Sequence, residues 1–580
     1  TNARSGLAVI ELVIGLIFQY LGDVMNRKWV KTIRPAVLLS MAAGCSGAIA
    51  ADQAAPDADL GGNYFKMGGY VRTWLSWGLN DNNDQTSPLP GQPAYSKLKG
   101  KGKLMMERAA LDLTADAKTG GVTWHAVGRA DRESISSYGK ELQRRSCASA
   151  AVGGAAPGPG CDVKNQYNQG ELRELYADFA LGDRFQVRLG KQQVVFGETD
   201  FFHPNDLLHG FDYRWRAFGE PESDEQRKPL IMANVKMAVP EAQGTLQAVI
   251  RPGWDRKQDI GNTYDIYGGR WSAVPNMGVD YLAYATQFNY DHPEGNYKST
   301  TGALRWTGLA GDLNYAVSYQ RVFQPDFVLN PCGVFASGAQ RDGTGCVSSL
   351  YYKQAPTNKA YGDWIYPIIN VIGASVSGES QTLDAVVNFE MALQKDRLFN
   401  SNSDVSGMPN AAGFFQIPNN AGVMGPVVKK DVIQTTLRID KQLRLQKWLG
   451  TNAASFASFQ VFDSWVRDLN DREDLVAAVG SAAKLKSHST IATAFIQFPY
   501  MNSRLTYGLA YGQELQAGNS FFIPSLTYNI GNNWRLAADA VFFNTKGART
   551  DNISSPGNDH YGMAAFNHHN YATLRATYQF

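Results

Sequence analysis

The chain has 580 residues, 55 basic against 53 acidic, and a formal charge of +2. Only 19% of residues are charged, against roughly 25% in ordinary soluble proteins, so no global field recruits nucleic acid or an anionic surface. Past the leader, no run of about 20 apolar residues offers a spanning helix; the 57 glycines and 12% aromatics fit one large β-protein better than three or four globular domains.

In chain order, the first feature is a targeting segment. From Met25 the chain carries a basic stretch (Arg27, Lys28, Lys31, Arg34), an apolar stretch from Pro35 to Ala43, and Ala48-Ile49-Ala50 for cleavage. This reading makes residues 1–24 an upstream extension outside the natural protein, 25–50 a signal peptide, and 51–580 a single barrel domain. The rival reading makes Leu7 to Tyr20 an apolar anchor. Cys45 sits where a lipobox cysteine would, but Ala42 stands in place of the large aliphatic that such a motif needs.

Strands follow, each marked by apolar and polar residues alternating over about ten positions. They begin near Phe65, Leu104, Val122, Glu171, Asp183, Leu230, Thr245, Tyr281, Lys298, Asp312, Ile369, Thr382, Val432, Ser455, Thr490, Arg504, Phe521, Trp534 and Tyr571. One of these is in excess, because single-chain bacterial barrels have even strand numbers; Tyr281 and Thr490 carry the weakest alternation. The expectation is 16–20 strands, with 18 the best estimate. Long insertions interrupt the strands at Asp81–Lys103, Ser134–Gln169, Gln193–Lys228, Pro325–Asp363, Phe399–Val428, Asp468–His488 and Lys546–His568, and Asp471–Leu485 reads as a short helix. Between them lie tight turns such as Leu181-Gly182-Asp183, Ala310-Gly311-Asp312 and Gly531-Asn532-Asn533.

A soluble sandwich also alternates. Here the strands are long, many apolar faces end in Tyr, Trp or Phe, and short turns alternate with long loops. Those three features predict a transmembrane antiparallel β-barrel with short periplasmic turns, long extracellular loops and one loop folded into the lumen. Only a closed sheet pairs every backbone group in hydrocarbon. Two insertions each hold a cysteine pair, Cys147 with Cys161 and Cys332 with Cys346. Their equal spacing predicts two local disulfides formed in an oxidising compartment, each worth about 3 kcal/mol; the alternative is four free thiols.

The polar faces carry Arg72, Arg108, Arg129, Arg188, Arg438, Arg504, Arg535 and Arg575 set against Asp112, Asp131, Asp178, Asp440 and Asp539, which predicts a polar lumen with compensating charge. Insertion Gln193–Lys228 mixes seven aromatic residues with Glu198, Asp200, His203, Asp206, Arg214 and Arg216, a combination suited to a loop turned inward. It is expected to form a constriction with Glu198, Asp200 and Asp206 facing the pore and Arg214 or Arg216 opposite; a structural plug or an external flap is the alternative. Glu198, Asp200 and His203 are too loosely spaced to predict a metal site. There is no GxSxG, HExxH or P-loop, so the chain is read as a non-enzyme without cofactor; the one hydrolase arrangement worth naming pairs His488 and Ser489 with a distant acid.

Two resemblances narrow the reading. Leu574, Ala576, Tyr578 and Phe580 resemble the C-terminal signature by which the barrel-assembly machinery recognises outer-membrane proteins. Arg188-Leu189-Gly190-Lys191-Gln192-Gln193-Val194-Val195-Phe196-Gly197-Glu198, then Phe202-His203-Pro204-Asn205-Asp206-Leu207, resembles the domain-of-unknown-function 1302 family of proteobacterial outer-membrane proteins, as does Tyr366-Pro367 leading into Gly373-Ala374-Ser375 and Gly378-Glu379. Phe196 replaces the family's Trp, and His203 its Asn. The resemblance implies a porin-like channel for hydrophobic or lipid-like compounds, working with a periplasmic lipid-transfer protein and a resistance-nodulation-division type transporter. The residues leave open a general water-filled porin and a surface receptor or adhesin.

Overall fold

The computed structural model describes residues 62–81, 99–141, 143, 167–197, 199, 202–214, 223–256, 259–263, 299–326, 328–329, 364–401, 427–470, 475–476, 485–545, 563, 566 and 569–580. The leader and all four loop cysteines lie outside them. The first half of the wall is β1 (Tyr64–Gly78), β2 (Leu104–Thr119), β3 (Val122–Glu133), β4 (Gln169–Leu181), β5 (Phe185–Gln192), β6 (Leu230–Val239), β7 (Gly244–Arg251), β8 (Thr301–Ala310) and β9 (Leu313–Phe323). The second is β10 (Ile368–Ser380), β11 (Ala385–Ser401), β12 (Val427–Leu443), β13 (Ser455–Val466), β14 (His488–Tyr500), β15 (Leu505–Glu514), β16 (Ser520–Ile530), β17 (Trp534–Asn544) and β18 (Tyr571–Gln579). Each strand pairs antiparallel with the next, and β18 pairs back onto β1 from Tyr70↔Gln579 to Gly78↔Tyr571, so the 18 strands form a closed ring.

Register decides which side chains face inward, and its parity is consistent around the whole ring. Leu113, Leu189, Ile250, Leu304, Val317, Ile372, Leu437, Phe459, Leu536 and Leu574 stand exposed on the outer face. Arg72, Asp112, Arg129, Asn234, Gln320, Ser375, Glu390, Thr436, Gln460 and Thr493 are buried on the inner face. This is the reverse of a soluble fold, as burial in hydrocarbon requires. Among the described residues no helix is long and apolar enough to cross a membrane.

Eighteen of the nineteen expected strands are in the wall, including the weakly patterned one at Thr490. The expectation near Tyr281 is overturned: β7 pairs directly with β8, from Gly244↔Gly308 to Arg251↔Thr301, which leaves no place for a strand between them. Tyr281 itself lies outside the described residues. Within the segment expected to be helical, Leu475 and Val476 instead pair as strand with Ser401 and Asn400. One connection at the loop end is shorter than expected, since β15 ends at Glu514 and β16 begins at Ser520. The tight turns at the other end include Gly182, Gly311 and Gly531 with φ of 62°, 62° and 59°, a left-handed conformation that glycine adopts without strain.

Candidate functional site

The segment between β5 and β6 crosses the lumen and is held at both walls. On leaving β5, the Val194 N–H donates to His209 Nε2 (2.9 Å), while His209 Nδ1 donates to the Lys228 carbonyl (2.8 Å), so one imidazole clasps the start of the segment to its end. Accepting at Nε2 requires the neutral ring. Burial, with Arg227 adding to it, depresses the His209 pKa to about 4. Asp206, fully enclosed, pairs with Arg227 Nη2 at 2.7 Å, and the guanidinium lies over the Phe211 ring.

On the β1–β4 side the fastening is charged. The short helix Ser223–Gln226 presents Glu225, whose Oε1 accepts from Tyr70 OH (2.5 Å) and Arg72 Nη1 (2.8 Å) and whose Oε2 meets Arg129 Nη2 at 2.7 Å. Arg173 donates to the carbonyls of Glu225 (3.3 Å) and Arg227 (2.8 Å). Arg173 is aimed inward by a bulge: Val127 pairs with Glu174 but Gly128 with Leu172, leaving Arg173 as the extra residue. Burial opposes ionisation of Glu225, but Arg129 and Arg72 outweigh it and hold its pKa down at about 2.

On the β9–β13 side the fastening is close, and its one charged group is the Glu390 carboxylate. Asn205 Nδ2 donates to the Ala374 carbonyl and to Glu390 Oε2, each at 3.2 Å, and its own carbonyl accepts from Gln320 Nε2 (2.8 Å). A Cβ at position 373 would collide with Asn205 Oδ1 and Ser318 Oγ, so only glycine there admits the approach. The two sequence segments that carry the family resemblance therefore meet across the lumen. Phe202 stacks on Phe462 of β13 with centroids 4.4 Å apart, and His203, Phe211 and Tyr213 stack in series at 4.8 and 5.9 Å. The β7–β8 connection braces this arrangement: Tyr213 N–H donates to Thr263 O, Thr263 N–H to Phe211 O, and Lys228 Nζ to Gly261 O. Tyr366, from the weaker family motif, packs its ring onto Gly261 (φ 65°) and donates to the Asn262 carbonyl.

The structure sorts the expected site residues as follows. Asp206 is in the lumen and pairs with Arg227, while Arg214 pairs with Asp212 at 2.7 Å; Arg216, the other arginine expected opposite, is not among the described residues. His203 is stacked on Phe211. Glu198, Asp200 and Arg216 lie outside the described residues, as do Cys147, Cys161, Cys332 and Cys346. Arg72, Arg108, Arg129, Arg188, Arg438, Arg535 and Arg575 all have inward parity; Arg108 pairs with Asp131, Arg188 with Asp178 and Arg438 with Asp440. Arg504 belongs to the turn before β15, where it is exposed. His488 stacks on Trp465 and bonds Asp463 on the outer face, opposite in parity to Ser489, so those residues do not converge as a hydrolase site. The alternation missed Glu225, Arg227, Asn205, Glu390 and Arg173; only Arg173 and Glu390 lay in patterned strands.

A family model described as "Protein of unknown function (DUF1302)" matches residues 38–580. No curated protein matches the chain. Among solved structures it is similar to Pseudomonas aeruginosa OpdK with vanillate (9% identity, 89% of this chain and 98% of that one, TM-score 0.42) and to Acinetobacter baumannii OccAB3 (10%, 89% and 99%, 0.40). Another is Salmonella typhi OmpF in complex with daunomycin (8%, 90% and 99%, 0.38).

Proposed function

The chain belongs to the DUF1302 family, and on that premise we propose that it is an outer-membrane channel passing hydrophobic or lipid-like solutes, in concert with a periplasmic lipid-transfer protein and a resistance-nodulation-division type transporter. The observation that supports this cargo is the pair of aromatic stacks, Phe202 on Phe462 and His203-Phe211-Tyr213, carried into a polar-lined lumen by the crossing segment. Apolar surface with a few placed polar groups is the ordinary make-up of a site for an apolar ligand. In this reading the tight-turn end faces the periplasm and the crossing segment is the constriction. The outward residues Leu574, Ala576, Tyr578 and Phe580 of the last strand serve the barrel-assembly machinery. The rival is a water-filled porin, favoured by the neutral polar lining at Ser375, Thr436, Gln460 and Thr493.

Reconstituted liposomes decide between them. Uptake of a labelled sterol or fatty acid with slow sugar-driven swelling is the expected result; fast swelling without lipid uptake would sink the hydrophobic cargo. Deleting Phe201 to Arg216 should raise single-channel conductance, and an unchanged conductance in a folded barrel would remove the constriction.

A further inference from the structure

The donors around Glu225 form a cage shaped for a carboxylate. They reach its two oxygens separately, Tyr70 and Arg72 from β1 to Oε1 and Arg129 from β3 to Oε2. They are also aimed by groups other than Glu225. Arg72 Nε donates to Thr577 Oγ1 (3.0 Å) and its guanidinium lies 4.5 Å from the Tyr70 ring centroid; Arg129 Nε donates to Asp112 Oδ2 (3.0 Å) and its Nη2 to Tyr70 OH (3.0 Å). A cage preorganised by its own wall loses little when its occupant changes.

The backbone that carries Glu225 is tied down independently of its side chain. Asp212 N–H donates to the Gln226 carbonyl (2.7 Å), Lys228 N–H to Gly210 O (2.9 Å), and Arg227 pairs with Asp206. None of these ties passes through the Glu225 carboxylate. We propose that Tyr70, Arg72 and Arg129, with Arg173 beside them, are a binding site for the carboxylate of a solute in the lumen, and that Glu225 is its resident stand-in, exchanged for the solute as it passes. The inference rests on the channel reading for the solute's access to the lumen, and goes beyond it in naming the group recognised. It involves no bond made or broken, only exchange of one carboxylate for another.

The test is calorimetric titration of the purified full-length barrel in detergent, with benzoate as the carboxylate and benzyl alcohol as its uncharged counterpart. Wild-type protein should bind benzoate more tightly than benzyl alcohol. Glu225→Gln, which keeps the size and removes the competing charge, should tighten benzoate on the order of tenfold, equivalent to about 1.4 kcal/mol, and leave benzyl alcohol unchanged. Equal benzoate affinity in a folded Glu225→Gln barrel would make Glu225 a staple only and overturn the proposal. If that variant does not fold, the wild-type comparison stands alone: benzoate binding no better than benzyl alcohol overturns it too. Because the titration needs no transport, a failure here is separable from a failure of the hydrophobic cargo, which is read by liposome uptake.

Discussion

The two sides of the lumen hold the same segment by opposite means. Toward β1–β4 the hold is charged, with Arg72 and Arg129 on the Glu225 carboxylate and Arg173 on the backbone carbonyls of Glu225 and Arg227. Toward β9–β13 it is an amide, a glycine, one carboxylate and a pair of aromatic rings: Asn205 against Gly373, Ala374 and Glu390, Phe202 against Phe462. Charge tolerates small shifts of geometry but leaves a large penalty when one partner goes. Close packing has no such reserve of range, yet each of its contacts is individually modest.

That contrast predicts a graded series. The largest effect should come from Arg129→Met, which strips Asp112, Glu225 and Tyr70 of a shared donor and should cost about 3–5 kcal/mol, read by urea unfolding of the barrel in lipid vesicles. A loss below 1 kcal/mol would mean that the charged side is no stronger than the packed one. Next is acid. His209 has a folded pKa of about 4 against an ordinary 6.5, so the unfolded or unclasped form takes up a proton first as pH falls. The clasp is therefore fully stable above pH 6.5 and weakens by roughly 1.4 kcal/mol per pH unit down to about pH 4. Conductance noise rising over that window in wild type, and flat across it in His209→Gln, is the expected outcome.

On the packed side, Gly373→Val should cost about 1–3 kcal/mol by forcing Asn205 off the wall, with conductance rising because the tip of the segment is released. The smallest change should be Phe202→Ala, about 0.5–1.5 kcal/mol for the lost ring pair, and no change in the salt dependence of unfolding. A salt-sensitive Phe202→Ala would show that the two fastenings are coupled.

What could be read in the sequence follows from the same division. A strand in hydrocarbon must alternate, so Ile433, Thr435, Leu437 and Ile439 declared their face, and with it the inward direction of Arg438 and Asp440. Alternation without a wall position misled at Tyr281, where only the direct pairing of β7 with β8 excludes a strand. Glu225 was illegible because Ser223-Asp224-Glu225-Gln226-Arg227 looks like a solvated charge run, and its partners Tyr70, Arg72 and Arg129 lie 155, 153 and 96 residues away. Asp206 was picked out but its partner Arg227 was not, since ion-pair choice depends on the path of the segment across the lumen and not on proximity in the chain. Arg173 needed the bulge in β4 to be known first.

The seam between β18 and β1 has a consequence in time. Phe580 exchanges both backbone hydrogen bonds with Gly69, each 3.0 Å, and Arg72 reaches Thr577 across 505 positions of sequence. Contacts of such long range are the slowest to form, so the ring shuts only after every other strand has found its neighbour. Until then β1 and β18 are both raw edges, each able to pair with a foreign strand.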